Sequence, residues 1–428
     1  MQKVKSFEIS RHLIWEAYLR VKENKGSGGI DGIELEDYEK DLKNNLYKLW
    51  NKMSSGSYFP KAVRLVEIPK DNGGKRTLGI ATIEDRIAQQ AAVLMMEPLM
   101  EPHFHMDSYG YRPGRSAHQA LTVTRQRCWQ YDWVLDLDIA KYFDSVDHEL
   151  LMTAIKRHTD CKWVLLYISR WLVVPYQLKD GTMVQRDKGI AQGSNIGPLL
   201  SNLFLHYVFD EWMRRKHANI PFERYVDDAI CHCVSEQQAK ELKQQIKERF
   251  AACKLALNED KTKIVYCKDD DRQENHEQEQ FTFLGYTFRP RRSKNKFGKH
   301  FVNFTPAISN KAKVKITRTM RGWHLESKAD KTIEDLAKMF NKTIQGWINY
   351  YGKFYKSAMY PLFQHLNRKL VIWVRRKLKR FKNHSHRATL WLGKIANQKP
   401  KLFAHWRLGI KPPIGKVRTV PAAIGAGR

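Results

Sequence analysis

Two pairs of acidic residues lie inside stretches of sequence that are otherwise apolar and typical of β-strands. The first pair is Asp136 and Asp138 in WVLDLDIAKYFD, and the second is Asp227 and Asp228 in RYVDDAICHCV. Carboxylates in a half-buried strand repel each other and lose hydration, so a divalent cation is their natural partner. Hard oxygen ligands without a nearby Cys or His pair favour Mg²⁺ or Mn²⁺. Either pair alone is explained more simply by basic neighbours, but together they predict metal-assisted phosphoryl transfer.

The acidic pairs lie among strand and helix patterns that alternate through the first 290 residues. Two strand patterns, 62–70 and 75–81, flank the sequence DNGG, which is a strong hairpin signal. Further strands are predicted for WVLDLDI, RYVDDAICHCV, KIVYC and FTFLGYTF. Helical patterns cover 8–24, 34–53, 83–100, a segment from 148, 198–215 and 236–253. The acidic stretch 269–280 indicates a solvated spacer.

Positive charge is concentrated in the C-terminal third of the chain. Residues 291–428 hold 33 Lys and Arg against 4 Asp and Glu, whereas the remainder is close to neutral. Tryptophans are interleaved with these cations at Trp323, Trp347, Trp373, Trp391 and Trp406. Cations release counterions from phosphates and aromatic rings stack on bases, so this segment predicts salt-dependent polyanion binding. A solvated face or a basic amphipathic membrane helix is the alternative.

Composition excludes several classes of protein. With 428 residues, a formal charge of +30 and 42% hydrophobic residues, the chain can bury a core and is too long for a small disulfide scaffold. Its six cysteines form no CxxC pair, which argues against a zinc ribbon and favours a reducing cytoplasm. Cys231 and Cys233 alternate along one strand and most simply belong to the core. We expect no signal peptide and no membrane span.

Several blocks of sequence, in collinear order, resemble the bacterial group II intron reverse transcriptase/maturase proteins. They are NKGSGGIDG, VEIPKDNGGKRTLGIATIEDRIAQQ, HMDSYGYRPGRSAHQAL, VLDLDIAKYFDSVDHELL, KGIAQGSNIGPLLSNLFLHY, RYVDDA, LALNEDKTKIV, FLGYTF and GWINYYGKF. The resemblance implies an α+β right-hand polymerase with fingers and a ferredoxin-like palm, followed by an all-α thumb or maturase X domain. The implied domains are an N-terminal extension (1–60), fingers and palm (61–290), thumb/maturase (291–382) and a basic extension (383–428), which would at most bind DNA.

The resemblance also implies the catalytic centre. The predicted metal ligands are Asp138, Ile139, Asp227 and Asp228, holding two Mg²⁺ ions, with Mn²⁺ as an alternative. Asp138 is preferred to Asp136 because Phe143 follows it at the spacing that polymerases of this class share. The ions would activate the primer 3′-hydroxyl and bind the triphosphate.

Further residues receive substrate roles from the same resemblance. Lys70 and Arg76, on the two arms of the DNGG hairpin, would contact the triphosphate. Gln192 and Gly193 would approach the nascent base pair, and Phe143 would exclude a ribose 2′-hydroxyl. The catalytic set is completed by Lys261, which would protonate the leaving pyrophosphate.

The loop AQGSNIGP and the turn YVDD depart from the family's usual PQGGPLSP and YADD. Ala191 lacks the rigidity of proline, Ser194 and Asn195 stiffen a glycine-rich segment, and Val226 adds bulk beside the nucleotide site. The metal ligands are unchanged. We therefore expect catalysis to be kept and fidelity or processivity to be altered.

The C-terminal third would grip intron RNA. The predicted RNA-binding residues are Arg368, Lys369, Arg375, Arg376, Lys377, Lys379 and Arg380. The implied function is RNA-directed DNA synthesis with assistance to splicing and homing of a group II intron in the bacterial cytoplasm. Its partners would be intron RNA, a DNA target and primer, and dNTPs. Two alternatives stay open, namely a splicing cofactor with vestigial polymerase activity and a stand-alone reverse transcriptase adopted for repair or phage defence.

Overall fold

The computed structural model describes residues 6–24, 26–69, 74–294 and 297–414. The α-helices are α1 (Arg11–Asn24), α2 (Leu35–Glu39), α3 (Leu42–Ser55), α4 (Ile83–Met100), α5 (Ala117–Cys128), α6 (Tyr142–Ser145), α7 (His148–Lys156), α8 (Lys162–Val173), α9 (Gly197–Leu205), α10 (Glu211–Lys216), α11 (Glu236–Ala252), α12 (Asn310–Gly322), α13 (Ile333–Tyr351), α14 (Tyr360–Lys377) and α15 (Ser385–Gln398). The β-strands are β1 (Val63–Pro69), β2 (Lys75–Ile80), β3 (Trp133–Leu137), β4 (Tyr176–Gln177), β5 (Met183–Val184), β6 (Phe222–Tyr225), β7 (Asp228–Cys233), β8 (Lys263–Tyr266), β9 (Phe281–Phe283), β10 (Tyr286–Lys294) and β11 (His300–Ile308).

The described chain divides into two compact units. The first contains the chain up to Phe281 together with Arg289–Phe304, and the second contains Thr282–Phe288 together with the chain from Thr305. Strands β9, β10 and β11 form a three-stranded sheet in the order β11-β10-β9. This division follows packing alone, and the four predicted domains stay a prediction.

An antiparallel sheet in the order β6-β7-β3-β8 forms the centre of the first unit. The β3 sequence WVLDL is buried at every position except Asp136, as its nearly continuous apolar pattern predicts. Helix α11 packs on β3, β7 and β8, and α5 packs on β6 and β7. Cys231 and Cys233 lie fully buried in β7, in agreement with the predicted core role.

A second sheet in the first unit has the order β2-β1-β4-β5. Strands β1 and β2 form the predicted hairpin, with Ile68 opposite Arg76 and Leu65 opposite Gly79. Three of the four predicted turn residues, 71–73, and Lys70 on the preceding arm lie outside the described residues. After β2 the chain enters α4, whose first turn is capped by Thr82, since its hydroxyl accepts a hydrogen bond from Asp85 N at 3.1 Å.

The second unit has a helical core of its own. Most of its buried residues come from α12, α13, α14 and α15 and from the segment that follows α15. Asn367 anchors that segment, because its Oδ1 accepts hydrogen bonds from His405 Nε2 at 2.8 Å and Trp406 Nε1 at 2.9 Å. Trp373 and Trp406 are each 1% exposed, so these two rings belong to the core and are not available for base stacking.

Three local predictions differ from the structure. The predicted helix 34–53 is two helices, since α2 ends at Glu39 and α3 begins at Leu42 after a non-helical Asp41. The segment 291–382, expected to be all-α, begins with strands, since β10 ends at Lys294 and β11 is His300–Ile308. The predicted spacer 269–280 is anchored to the first unit, because Arg272 donates hydrogen bonds to the Tyr131 and Cys128 carbonyls. Among the described residues, no helix is long and apolar enough to span a bilayer.

Candidate active site

The sheet register brings the two acidic motifs together at one end of the central sheet. Strands β3 and β7 are antiparallel, with Asp136 opposite Ile230 and Leu137 opposite Ala229. One further step places Asp138 opposite Asp228, and residues two apart on a strand share a face. Asp136, Asp138 and Asp228 therefore lie on the same face, with Asp138 and Asp228 at its end.

The hairpin turn that carries Asp227 has an unusual backbone. Tyr225 pairs with Asp228, so Val226 and Asp227 form the turn. Val226 has φ of 62°, a left-handed conformation that is rare for a β-branched residue and marks strain held by its surroundings. The backbone of Gly110 lies against it, because a Cβ there would stand 2.5 Å from Val226 Cγ2. Any side chain at 110 would therefore displace the turn.

A buried ion pair holds this turn from inside the protein. Arg224 and Asp210 form two hydrogen bonds of 2.7 and 2.6 Å, and their side chains are 1% and 0% exposed. Arg224 also donates to the Val226 carbonyl at 2.8 Å and to Asn202 Oδ1 at 3.1 Å. Asn202 donates in turn to the Gly110 carbonyl at 2.6 Å. One guanidinium thus connects the turn to the helix behind it and to the loop around Gly110.

Asp210 reaches Arg224 from a π-helical turn, 206–210, between α9 and α10. Such turns insert one residue into a helix and are frequent at functional sites. The sequence analysis did not identify Arg224, Asp210 or Asn202. A usable signal was present, since Arg224 is a charged residue inside an apolar strand pattern and needs a buried partner.

Asp138 has polar neighbours from the segment that precedes β8. Asn258 Nδ2 donates to its carboxylate at 2.9 Å, and Lys261 Nζ lies 3.0 Å from Oδ2. Its backbone N–H donates to Thr262 Oγ1 at 3.3 Å. Lys261 is 66% exposed, so this ion pair is open to water and easily exchanged. The structure places the predicted proton donor directly beside a predicted metal ligand.

The electrostatics of the acidic cluster favour a bound cation. Desolvation, together with the charges of Asp227 and Asp138, raises the pKa of Asp228 to about 7, although this residue keeps surface exposed to water. Desolvation also raises the pKa of Asp227, and the nearby positive charges of Arg76 and Arg224 partly offset this rise. The pKa of Asp136 is raised to about 8 for the same reasons. A divalent cation would remove this mutual repulsion.

The donor chemistry of the cluster fits Mg²⁺ or Mn²⁺, since it offers carboxylate oxygens and no thiol or imidazole. In the part of the chain that the structure describes, no three His, Cys, Asp or Glu side chains are arranged closely enough to hold one ion. Asp138 is instead neutralised by Lys261. The cluster therefore offers suitable ligands for a divalent cation. The Lys261 ammonium group pairs with one of those ligands, Asp138.

Phe143 and Ile139 lie close to this end of the sheet. Ile139 is buried and bridges Leu257, and Phe143 is half-buried in the short helix α6. The Phe143 carbonyl accepts a hydrogen bond from Ile190 N at 2.6 Å. Gly189, with φ of 85°, passes so close that a Cβ would stand 2.9 Å from that carbonyl. The chain that leads into the AQGSNIGP loop is therefore fixed against the backbone of Phe143.

The same loop contacts the β1–β2 hairpin. Gly79 N donates to the Gln192 carbonyl at 2.7 Å, and Arg76 Nε donates to Gln192 Oε1 at 3.0 Å. Gly193 has φ of 102°, and a Cβ there would stand 2.7 Å from the Gly79 carbonyl. The structure thus brings together three residues that were predicted separately as nucleotide contacts, namely Arg76, Gln192 and Gly193.

The predicted RNA-binding cations lie on and after α14 in the second unit, and they differ in their surroundings. Arg375 donates two hydrogen bonds to the Lys382 carbonyl, and Lys377 donates to the Ala329 carbonyl at 2.9 Å. Lys369 lies 3.9 Å from Glu326 and is 20% exposed. These three are half-buried and have contacts within the unit, whereas Arg368, Arg376, Lys379 and Arg380 are exposed. Arg380 lies over the Phe381 ring, 4.8 Å from its centroid.

Comparison with known proteins gives two family matches. A model described as reverse transcriptase (RNA-dependent DNA polymerase) matches residues 68–288, and one described as the group II intron maturase-specific domain matches residues 313–391. Both ranges contain predicted site residues. The first includes the acidic cluster, the last two residues of β1 and all of β2, and the second includes α14.

Among curated proteins, YkfC of Escherichia coli (strain K12) is 30% identical over 306 residues, covering 62% of this chain and 77% of that protein. The group II intron-encoded protein LtrA of Lactococcus lactis subsp. cremoris is 28% identical over 254 residues, covering 59% of this chain and 41% of that protein. The putative COX1/OXI3 intron 1 protein of Saccharomyces cerevisiae is 29% identical, covering 46% and 23%. The chain thus spans most of YkfC but less than half of the other two.

Proposed function

The chain belongs to the reverse transcriptase family of RNA-dependent DNA polymerases, and on that premise we propose that it copies RNA into DNA and assists splicing and mobility of a group II intron. The observation that carries the polymerase proposal is the meeting of Asp138, Asp227 and Asp228 at one end of the sheet, with Arg76 close enough to influence the Asp227 carboxylate. The maturase-specific match and the basic α14 region support the RNA-binding part.

In this proposal Asp138, Asp227 and Asp228, with Ile139, would hold two divalent cations. Bound there, Mg²⁺ or Mn²⁺ supplies the charge that lowers the pKa of a primer hydroxyl and stabilises the triphosphate during displacement. Lys261 lies 3.0 Å from Asp138. Once it is released from that carboxylate, its ammonium group donates a proton to the departing pyrophosphate.

The hairpin and the AQGSNIGP loop select and orient the nucleotide. Arg76, held by Gln192, presents a planar cation to the triphosphate, with Lys70 as its predicted companion. Gly193 gives the base pair close access to backbone, because it carries no side chain at a crowded position. Phe143 occupies the place where a ribose 2′-hydroxyl would go.

Folded intron RNA is held by the second unit. Such RNA is recognised mainly by shape and backbone, which suits a helical surface rich in Arg and Lys. This part of the proposal depends on cations that are free to reach phosphates, and the structure favours Arg376, Lys379 and Arg380 for that role over Arg375 and Lys377.

The test separates catalysis from RNA binding. Replacing Asp227→Ala together with Asp228→Ala removes two carboxylates and leaves the basic surface unchanged. We expect primer extension on an RNA template to be lost by many orders of magnitude and filter-binding affinity for intron RNA to stay within about twofold.

Asp136→Asn is the matched control. Asp136 lies on the same strand as Asp138 but is not one of the predicted metal ligands, so an isosteric amide is expected to preserve extension. Extension by the double variant at the wild-type rate would exclude the assigned centre. Intron RNA binding without any extension by the wild-type chain would favour the vestigial polymerase.

A further inference from the structure

The loop 191–196 is attached to helix α4 by two hydrogen bonds from a single residue. The backbone N–H of Asn195 donates to Gln89 Oε1 at 2.9 Å, and its side-chain Nδ2 donates to Gln90 Oε1 at 3.2 Å. Gln89 is 4% exposed, whereas Gln90 and Asn195 are half-buried. Leaving a buried amide without a hydrogen-bond partner costs free energy, so these contacts favour one position of the loop over others.

The loop is also braced internally. Ser194 Oγ donates to the Ala191 carbonyl at 2.9 Å and accepts a hydrogen bond from Gly197 N at 3.1 Å. It thereby closes the turn and satisfies an N–H at the start of α9. The polar residues Ser194 and Asn195 therefore compensate, through specific partners, for the rigidity that a proline would have supplied.

On its other side the loop holds the hairpin. The Gln192 carbonyl accepts Gly79 N, and the Gln192 side chain accepts Arg76 Nε at 3.0 Å. Arg76 itself is exposed, so few other constraints act on its long side chain. Asn195 thus ties one end of the short loop to α4, and Gln192, three residues earlier in the same loop, contacts the Arg76 guanidinium.

We propose that Gln89, Gln90 and Asn195 are positioning residues, which fix the AQGSNIGP loop so that Gln192 orients Arg76 for the incoming nucleoside triphosphate. None of the three touches the nucleotide. Their effect is on its affinity, because an ordered guanidinium loses less conformational freedom when it binds a phosphate. This inference rests on the proposed polymerase function.

The experiment measures single-nucleotide insertion by the full chain. Gln90→Ala and Asn195→Ala each remove one neutral hydrogen bond and leave the Asn195 backbone contact to Gln89 in place. We expect each to raise the KM for dNTP by about twofold to about tenfold, with kcat within about twofold. Gln90→Glu keeps an acceptor oxygen at this position, so its KM for dNTP is expected to equal that of the wild type.

Two controls distinguish positioning from general loss of structure. Gln244→Ala removes a similar bond, 2.8 Å to Glu248 on α11, and is expected to leave KM unchanged. In an Arg76→Ala background, Gln90→Ala is expected to add less than about twofold, because the group that it orients is gone. The same fold-change with and without Arg76, or an unchanged KM in both single variants, would overturn the inference.

A failure of the proposed function gives a different result. If the wild-type chain inserts no nucleotide, that function fails, and positioning is then measured by the increase in thermal midpoint with added dATP and Mg²⁺. Gln90→Ala is expected to require about twofold to about tenfold more dATP than the wild type for the same increase. If the variant and the wild type required the same dATP concentration, or if dATP did not raise the thermal midpoint of the wild type, the positioning inference would be excluded.

Discussion

The buried pair Arg224–Asp210 allows stability and catalysis to be separated in one set of variants. Asp210→Ala leaves the Arg224 guanidinium charged in a site where both side chains are at most 1% exposed. Removing one member of a buried ion pair costs about 3–5 kcal/mol. For a domain of this size, about 2 °C per kcal/mol corresponds to a thermal midpoint lower by about 6–10 °C.

The compensating variant replaces both charges with apolar side chains. Asp210→Leu combined with Arg224→Met leaves no unpaired charge, so most of the lost stability is expected to return. Activity is not expected to return, because the hydrogen bonds from Arg224 to the Val226 carbonyl and to Asn202 are missing. If the turn moves Asp227 by about 1 Å, the rate of primer extension is expected to fall on the order of a hundredfold.

The assay pairs urea unfolding with primer extension at a temperature where every variant is folded. The reasoning predicts low stability and low activity for Asp210→Ala, and near-normal stability with low activity for the double variant. If the double variant recovered activity along with stability, Arg224 would have no positioning role. If Asp210→Ala lost less than about 1 kcal/mol, the pair would not be buried as described.

Three further outcomes follow from other parts of the molecule. Phe143→Ala is expected to admit ribonucleotides, measured as the ratio of dNTP to rNTP insertion; an unchanged ratio would contradict the register of Asp138 and Phe143. Replacing Arg376, Lys379 and Arg380 with Gln is expected to reduce the slope of log K against log salt for intron RNA by about two units, whereas an unchanged slope would make α14 a solvated surface. Burial lowers the pKa of His405 to about 3, so the unfolded chain binds a proton below about pH 6.5 that the folded chain does not. The free energy of unfolding therefore decreases as the pH is lowered below about 6.5. In urea unfolding, His405→Gln is expected to reduce the slope of that free energy against pH by about 1 kcal/mol per pH unit. Equal slopes for the variant and the wild type would contradict the assigned burial.

The sequence alone was sufficient for the family and the α+β class, and it drew attention to the acidic residues of the candidate site. Acidic residues in strands are costly wherever the strands lie, so the two acidic pairs, Asp136/Asp138 and Asp227/Asp228, could be recognised without coordinates. The choice of Asp138 over Asp136 came from the family resemblance. The β1–β2 hairpin and most helices were also predicted, because turn residues and hydrophobic periodicity are local properties. The domain boundaries and the roles of the site residues stay predictions.

The partners of polar residues were decided by the tertiary structure. Arg224 and Asp210 are fourteen residues apart, and Asn195 lies more than one hundred residues from Gln89 and Gln90. A hydrogen bond depends on distance and angle between atoms that folding brings together, and nothing in the spacing of such residues records it. For the same reason the charge of α14 was evident from sequence, whereas the contacts of Arg375 and Lys377 within their own unit required the fold.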